Sequence, residues 1–176
     1  MRESFAEEEW ITLLQAPMQA VVGVCLADRV DPVSFLQELK AGVALVAEEL
    51  RRTDLAGDLA PVLLGAMAEL DAADPLEGEQ LLLKKQFEAL GLIQTFKSSK
   101  EGREAAIAHL QKVTAILDTK VTGIQAADFK AWLLSVATKV AEVQREGGIM
   151  GIGGSRISDK ENEVLKKMAQ ALGLPY

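Results

Sequence analysis

The chain has 176 residues, of which 49% are hydrophobic and only 5% aromatic, so Leu, Ala, Val and Ile must build its core. Its formal net charge of −7 argues against nucleic acid and anionic lipid as ligands, because an acidic surface repels both. The single cysteine, Cys25, excludes an internal disulfide and favours a reducing, cytoplasmic location.

Helical periodicity runs through nearly the whole chain, and no sustained strand pattern appears. Pro17 suits the first turn of a helix, so 7–15 and 17–27 are predicted as two separate helices. The second of these is apolar on almost every side and is expected in the middle of the fold. Asp31 and Pro32 form a clear helix start. The remaining helices are predicted at 32–52, 59–73, 76–96, 101–119, 124–145 and 158–172.

These segments predict an all-α fold, a compact bundle of about eight helices that forms a single domain over 1–176. The longest apolar run, 16–27, is shorter than the ~18–20 unbroken apolar residues that a membrane span needs. No transmembrane segment is therefore expected. The acidic segment 1–10 lacks the apolar centre of a secretory signal.

A glycine-rich loop stands out in the stretch EGGIMGIGGSRISDKE (146–161), where five glycines precede a helix start. A phosphate-binding loop needs a lysine before Ser155, and a dinucleotide fingerprint needs a third glycine in register after a strand. Both features are missing. A small anion beside Ser155 and Arg156 is one alternative, because a helix N-terminus carries partial positive charge. The preferred interpretation is a structural or partner-binding loop made of Gly147, Gly148, Ile149, Met150, Gly151, Ile152, Gly153, Gly154, Ser155 and Arg156.

Acidic residues flank two turns of the chain and define a candidate site for a divalent cation such as Ca²⁺, Mg²⁺ or Mn²⁺. The candidate ligands are Asp28, Asp31, Glu146 and Asp159. Their spacing does not fit an EF-hand. The alternative is that Asp31 and Asp159 only start helices and that the other two are solvated.

Two single residues are candidates for chemistry. His109 is the only histidine, so any His-dependent general base must be this residue. The alternative is a surface or half-buried helix histidine. Cys25 lies on an apolar helix and is predicted as a buried, unreactive thiol.

The two acidic turns, LADRVDPVSFLQEL (26–39) and EVQREGGIMGIGGSRISDKENEVLKKMAQALGL (142–174), look alike. In both, an apolar helix ends in an acidic residue and a capped helix with an early glutamate follows. This pattern resembles the tellurite-resistance protein B-like (TerB-like) family, whose helical domains repeat a turn of the form A-D-G-x-[IV]-[ST]-x-x-E. The residues that carry the resemblance are Ala27, Asp28, Val33, Ser34, Glu38, Glu146, Gly147, Ile157, Ser158 and Glu161.

The resemblance implies an all-α fold with two helical halves. It also implies a role in metal or oxyanion stress responses, binding at membranes or in assemblies, and, in some members, a metal at the acidic turns. In this chain Glu146 stands where the family pattern has Asp, and Arg29 stands where it has Gly.

Three functional hypotheses follow, in order of preference. The first is a non-enzymatic helical module that binds a protein partner or forms a homo-oligomer. The second is a divalent-metal site for sensing or hydrolysis, which predicts that the two acidic turns meet in space. The third is an enzyme that uses His109 as a general base, which predicts a cleft holding this residue and a carboxylate. Apart from a divalent cation, no cofactor is expected.

Overall fold

The computed structural model describes residues 1–28, 31–121, 123–146 and 157–176, without the side chains of 144–146. These described residues form seven α-helices and no strand, which confirms the all-α prediction. After a short 3₁₀ turn at Arg2–Ser4, the helices are α1 (Glu7–Cys25), α2 (Pro32–Glu49), α3 (Leu59–Ala73), α4 (Gly78–Gln94), α5 (Ser99–Lys120), α6 (Ile124–Glu146) and α7 (Asp159–Leu172).

The helix count is seven and not eight because α1 continues through Pro17. The predicted break before this residue is wrong. Proline removes one helical hydrogen bond and its ring crowds the carbonyl four residues earlier, at a cost of about 3 kcal/mol. Here Leu13, Ala16, Pro17 and Ala20 are all buried, so packing of the continuous helix offsets that cost.

Helix α1 lies at the centre of the fold and contacts each of the other six described helices. All eight residues from Ala20 to Ala27 are buried. A helix can be apolar on every side only where neighbours cover every side. The central position predicted for 17–27 is therefore confirmed, and one cluster of buried apolar residues extends from Phe5 to Leu172.

Local caps fix several helix ends, as their sequence signals predict. Asp31 Oδ1 accepts a hydrogen bond from Ser34 N at 2.9 Å and starts α2. Ser158 and Glu161 form a reciprocal capping box at the start of α7, with bonds of 3.1 and 3.0 Å. Gly173 ends α7 in the left-handed conformation, at φ 70°.

The start of α4 differs from the prediction. The Asp74-Pro75 pair predicts a helix start, but Asp74 follows the end of α3 and the helix begins at Gly78. Asp74 Oδ1 accepts from the Leu76 backbone N–H at 2.9 Å, and its second oxygen pairs with Lys84. The aspartate is thus the C-cap residue of α3 and closes the α3–α4 turn, and it does not cap the start of α4.

A buried carboxylate joins α2 to α6. Glu49 is only 7% exposed, and it accepts hydrogen bonds from Trp132 Nε1 and Lys139 Nζ, each at 3.1 Å. Arg52 Nη1, just beyond the end of α2, lies 3.2 Å from it. With two cations and an indole N–H around it, the buried charge is paired, as a buried carboxylate must be.

Candidate functional site

The described residues of the two acidic turns include a direct contact between them. Ser158 Oγ, at the start of α7, donates a hydrogen bond to Asp28 Oδ2, just after α1, at 2.5 Å. The same hydroxyl accepts from the Glu161 backbone N–H. One serine therefore caps α7 and also joins it to the end of the central helix.

The described side chains of the other predicted metal ligands show no direct bond to this contact. Both carboxylate oxygens of Asp31 bind Ser34, and these hydrogen bonds, from the backbone N–H first, lower the pKa of Asp31. Asp159 is exposed in the first turn of α7. The side chain of Glu146 is outside the described residues. Among the side chains that are described, no three His, Cys, Asp or Glu residues lie close enough to hold an ion.

The predicted partner-binding loop, 147–156, also lies outside the described residues. Its first described neighbour, Ile157, is half-buried and packs against the main apolar cluster. Ile157 therefore adjoins the Asp28–Ser158 contact.

A concave site among the described residues lies between α5 and α7, and we call it the α5–α7 groove. Its volume is about 790 Å³, and Leu26 and Ala27, just beyond the end of α1, also line it. Farther along, Thr114 Oγ1 donates to the Ala171 carbonyl at 2.7 Å. The groove is lined by residues 99–111 of α5 and 160–167 of α7, and this bond joins later residues of both helices. The two helices therefore run parallel.

Basic side chains form the rim of the α5–α7 groove. Lys100 and Arg103 come from α5, and Lys160 and Lys167 come from α7. Among the described lining residues only Glu104 and Glu163 are acidic, so these residues give the rim a surplus of two positive charges in a chain whose net charge is −7. This local sign is opposite to that of the whole molecule.

The position of Arg103 is fixed by the end of α1. Its Nη1 donates to the Leu26 carbonyl at 2.9 Å. The last carbonyls of a helix lack intrahelical partners and carry partial negative charge, so a guanidinium is favourable there. The contact holds Arg103 beside Leu26 and Ala27 in the lining of the groove, and the guanidinium has further N–H donors besides the one that binds Leu26.

His109 and Cys25 do not line this groove. His109 Nε2 donates to the Thr12 carbonyl at 2.8 Å, in the turn of α1 that precedes Pro17. Burial lowers the pKa of His109, although this hydrogen bond opposes the effect. The side chain is therefore neutral at pH 7. Cys25 is 1% exposed, which confirms the predicted buried thiol.

Sequence reasoning missed the basic rim of the groove. Adjacent basic pairs such as Arg51-Arg52 and Lys166-Lys167 are visible in the sequence, whereas the rim combines residues separated along the chain by the whole of α6. A weak signal was present, since residues three or seven apart share one helix face. Lys100 with Arg103, and Lys160 with Lys167, have these spacings. Nothing in the sequence states that the two faces adjoin.

Comparison of the chain with protein-family models, with curated proteins and with solved structures finds no match. No helix in the described part of the chain combines the length and the apolar character needed to cross a bilayer.

Proposed function

We propose that this chain is a non-enzymatic helical binding module that acts through a protein partner in the cytoplasm. The cytoplasmic location rests on the lone, buried Cys25. The resemblance of the two acidic turns to the TerB-like family connects the proposal with metal or oxyanion stress responses.

The observation that carries this proposal is the α5–α7 groove. Its volume of about 790 Å³ falls in the range of ordinary binding sites. Its floor is apolar, with Ile107 half-buried and Val164 buried, whereas its rim is charged. An apolar floor supplies affinity and a charged rim supplies orientation and selectivity.

Photocrosslinking from inside the groove tests the proposal in cells that naturally express the chain. A benzoylphenylalanine residue placed at Gln111, which is exposed and lines the groove, should give a covalent adduct with a partner. The same substitution at Thr53, which is exposed and does not line the groove, serves as the control.

Three results are distinguishable in this experiment. An adduct from position 111 alone supports a partner, and its increase after tellurite exposure supports the stress role. An adduct of twice the chain's mass identifies the partner as a second copy. Equal adducts from both positions, or none from either, contradict binding in the groove.

A divalent-metal site at the acidic turns is the second candidate function, favoured by the contact between Asp28 and Ser158. This contact supports the predicted meeting of the two turns. A cation there would draw on Asp28 and on neighbouring carboxylates of the turns, with water completing the six or more oxygens that Ca²⁺ or Mg²⁺ requires.

A further inference from the structure

The shape of the α5–α7 groove suits an elongated occupant. Along α5, its lining residues recur every three or four positions from Lys100 to Gln111. At 1.5 Å per residue, this stretch is about 16 Å long, which equals about three turns of a helix. A bound chain segment of that length can contact the floor and both sides of the rim together.

Ion pairs on the rim leave its lysines available to a ligand. Lys100 lies 4.0 Å from Glu104, and Lys167 lies 3.5 Å from Glu163. All four side chains are at least 59% exposed, and pairs of this kind contribute little because water screens them. Replacing Glu104 and Glu163 by carboxylates of a ligand as partners of the two lysines therefore costs little free energy.

Lys160 and Arg103 account for the surplus positive charge of the rim. Among the described residues, Lys160 has no ion-pair partner, and Arg103 donates only to the neutral carbonyl of Leu26. Arginine held in one position binds a carboxylate through two parallel N–H bonds. These two side chains stand on opposite helices, so together they select a ligand with negative charge along both flanks.

The absence of a strand edge in the described fold favours a helical ligand over an extended one. An extended peptide binds mainly by adding a strand to a sheet edge, whereas a helix satisfies its own backbone and buries an apolar face. Ile107 and Val164, which form the floor of the groove, offer a surface on which the apolar face of a helix can be buried. Apolar residues three and four positions apart on a ligand helix would meet it.

From these observations we infer that the α5–α7 groove binds an acidic amphipathic helix of about three turns, supplied by a partner protein. The inference rests on the proposed function and adds the chemistry of the partner segment. The apolar face of that helix lies on Ile107 and Val164, and its glutamates or aspartates meet Arg103, Lys160 and the neighbouring lysines.

Selection from a peptide library tests this inference with the full chain. A display library of helical peptides of about 18 residues, randomised at all solvent-facing positions of the peptide helix, is selected for binding to the wild-type chain. Peptides that also bind the Ala108→Trp variant are then removed. Ala108 is exposed and lines the groove, so tryptophan fills the groove without changing charge or core. The peptides retained should have net negative charge and apolar residues spaced three and four apart.

Charge variants then identify the contacts of a selected peptide. By fluorescence anisotropy, Lys160→Gln combined with Lys167→Gln should weaken binding by about tenfold, since rim charge pairs contribute little individually but add together. Lys112→Gln and Lys166→Gln are the matched controls, because both lysines are exposed on the same two helices and neither lines the groove. The controls should change binding by less than about twofold. Circular dichroism confirms that every variant folds.

The outcomes separate the inference from the function on which it rests. Peptides that depend on the groove but are neutral or basic overturn the acidic-helix inference and leave the proposed function standing. No groove-dependent peptide at all overturns the acidic-helix inference, and photocrosslinking from position 111 then decides whether the proposed function stands. Binding of an anionic vesicle or a single-stranded oligonucleotide that Ala108→Trp abolishes, without a comparable peptide, replaces the protein partner with that class of ligand.

Discussion

At the scale of single residues, His109 makes stability depend on pH. Burial lowers its pKa in the folded chain below the ordinary value near 6.5. The unfolded chain therefore binds the proton more readily, and acidification favours unfolding. The stabilising contribution should be complete above about pH 6.5 and be lost as the pH falls through the lower folded pKa.

The substitution His109→Gln tests this dependence. Glutamine has an amide N–H for the Thr12 carbonyl but does not titrate. In urea unfolding at several values between about pH 5 and 7.5, the wild type should lose more stability on acidification than the variant. Lys166→Gln, which keeps the histidine, should retain the wild-type slope. Parallel curves for wild type and His109→Gln would contradict the assignment.

At the scale of helices, Gly42 sets how closely α2 approaches α1. A Cβ atom at this position would lie 2.7 Å from Val21 Cγ1 and 3.5 Å from Val140 Cγ1. Both valines are fully buried, and branched side chains have few alternative rotamers. Gly42→Ala should therefore destabilise the fold by about 1–3 kcal/mol, measured by urea denaturation, because the helices must move apart.

Gly65 provides the matched control for this packing argument. It lies in α3 and is exposed, and a methyl group added to its Cα would meet no neighbouring atom within 4 Å. Gly65→Ala should stabilise the fold by about 0.4–1 kcal/mol, because alanine lowers the entropy of the unfolded chain. If Gly42→Ala stabilised the fold as Gly65→Ala is expected to, helix propensity and not close packing would govern position 42.

At the scale of the whole molecule, a cation at the acidic turns would join the end of the central helix to the start of the last one. A ligand that binds only the folded state stabilises it by about 2.7 kcal/mol at 100 times its Kd. Under the metal hypothesis, thermal unfolding of metal-stripped chain should shift upward with one of Ca²⁺, Mg²⁺, Mn²⁺ or Zn²⁺. Asp28→Asn should abolish that shift.

The control for the metal experiment is Asp118→Asn. Asp118 is exposed and pairs with Lys130 at 2.8 Å. It belongs to neither of the two acidic turns, which meet through Asp28 and Ser158. This variant should keep any ion-dependent shift. Absence of a shift with every ion would reject the metal candidate and leave Asp28 as a partner of Ser158.

The sequence by itself determined the class of fold and many helix ends, because those depend on neighbouring residues. The apolar run 20–27 required burial on all sides, and α1 is central as predicted. Asp31, Ser158 and Gly173 cap helices through bonds that span only a few positions. Such signals act within one or two turns, and therefore a single sequence is enough to recognise them.

Only the tertiary structure decided the features that depend on distant residues. Pro17 stays inside α1 because surrounding helices bury it, and propensity alone predicts a break there. Asp28 meets Ser158 because the end of α1 lies beside the start of α7. The basic residues of α5 and of α7 share one groove because these two helices pack side by side. The sequence contains each side chain of the groove, whereas helix packing alone determines which of them share a surface.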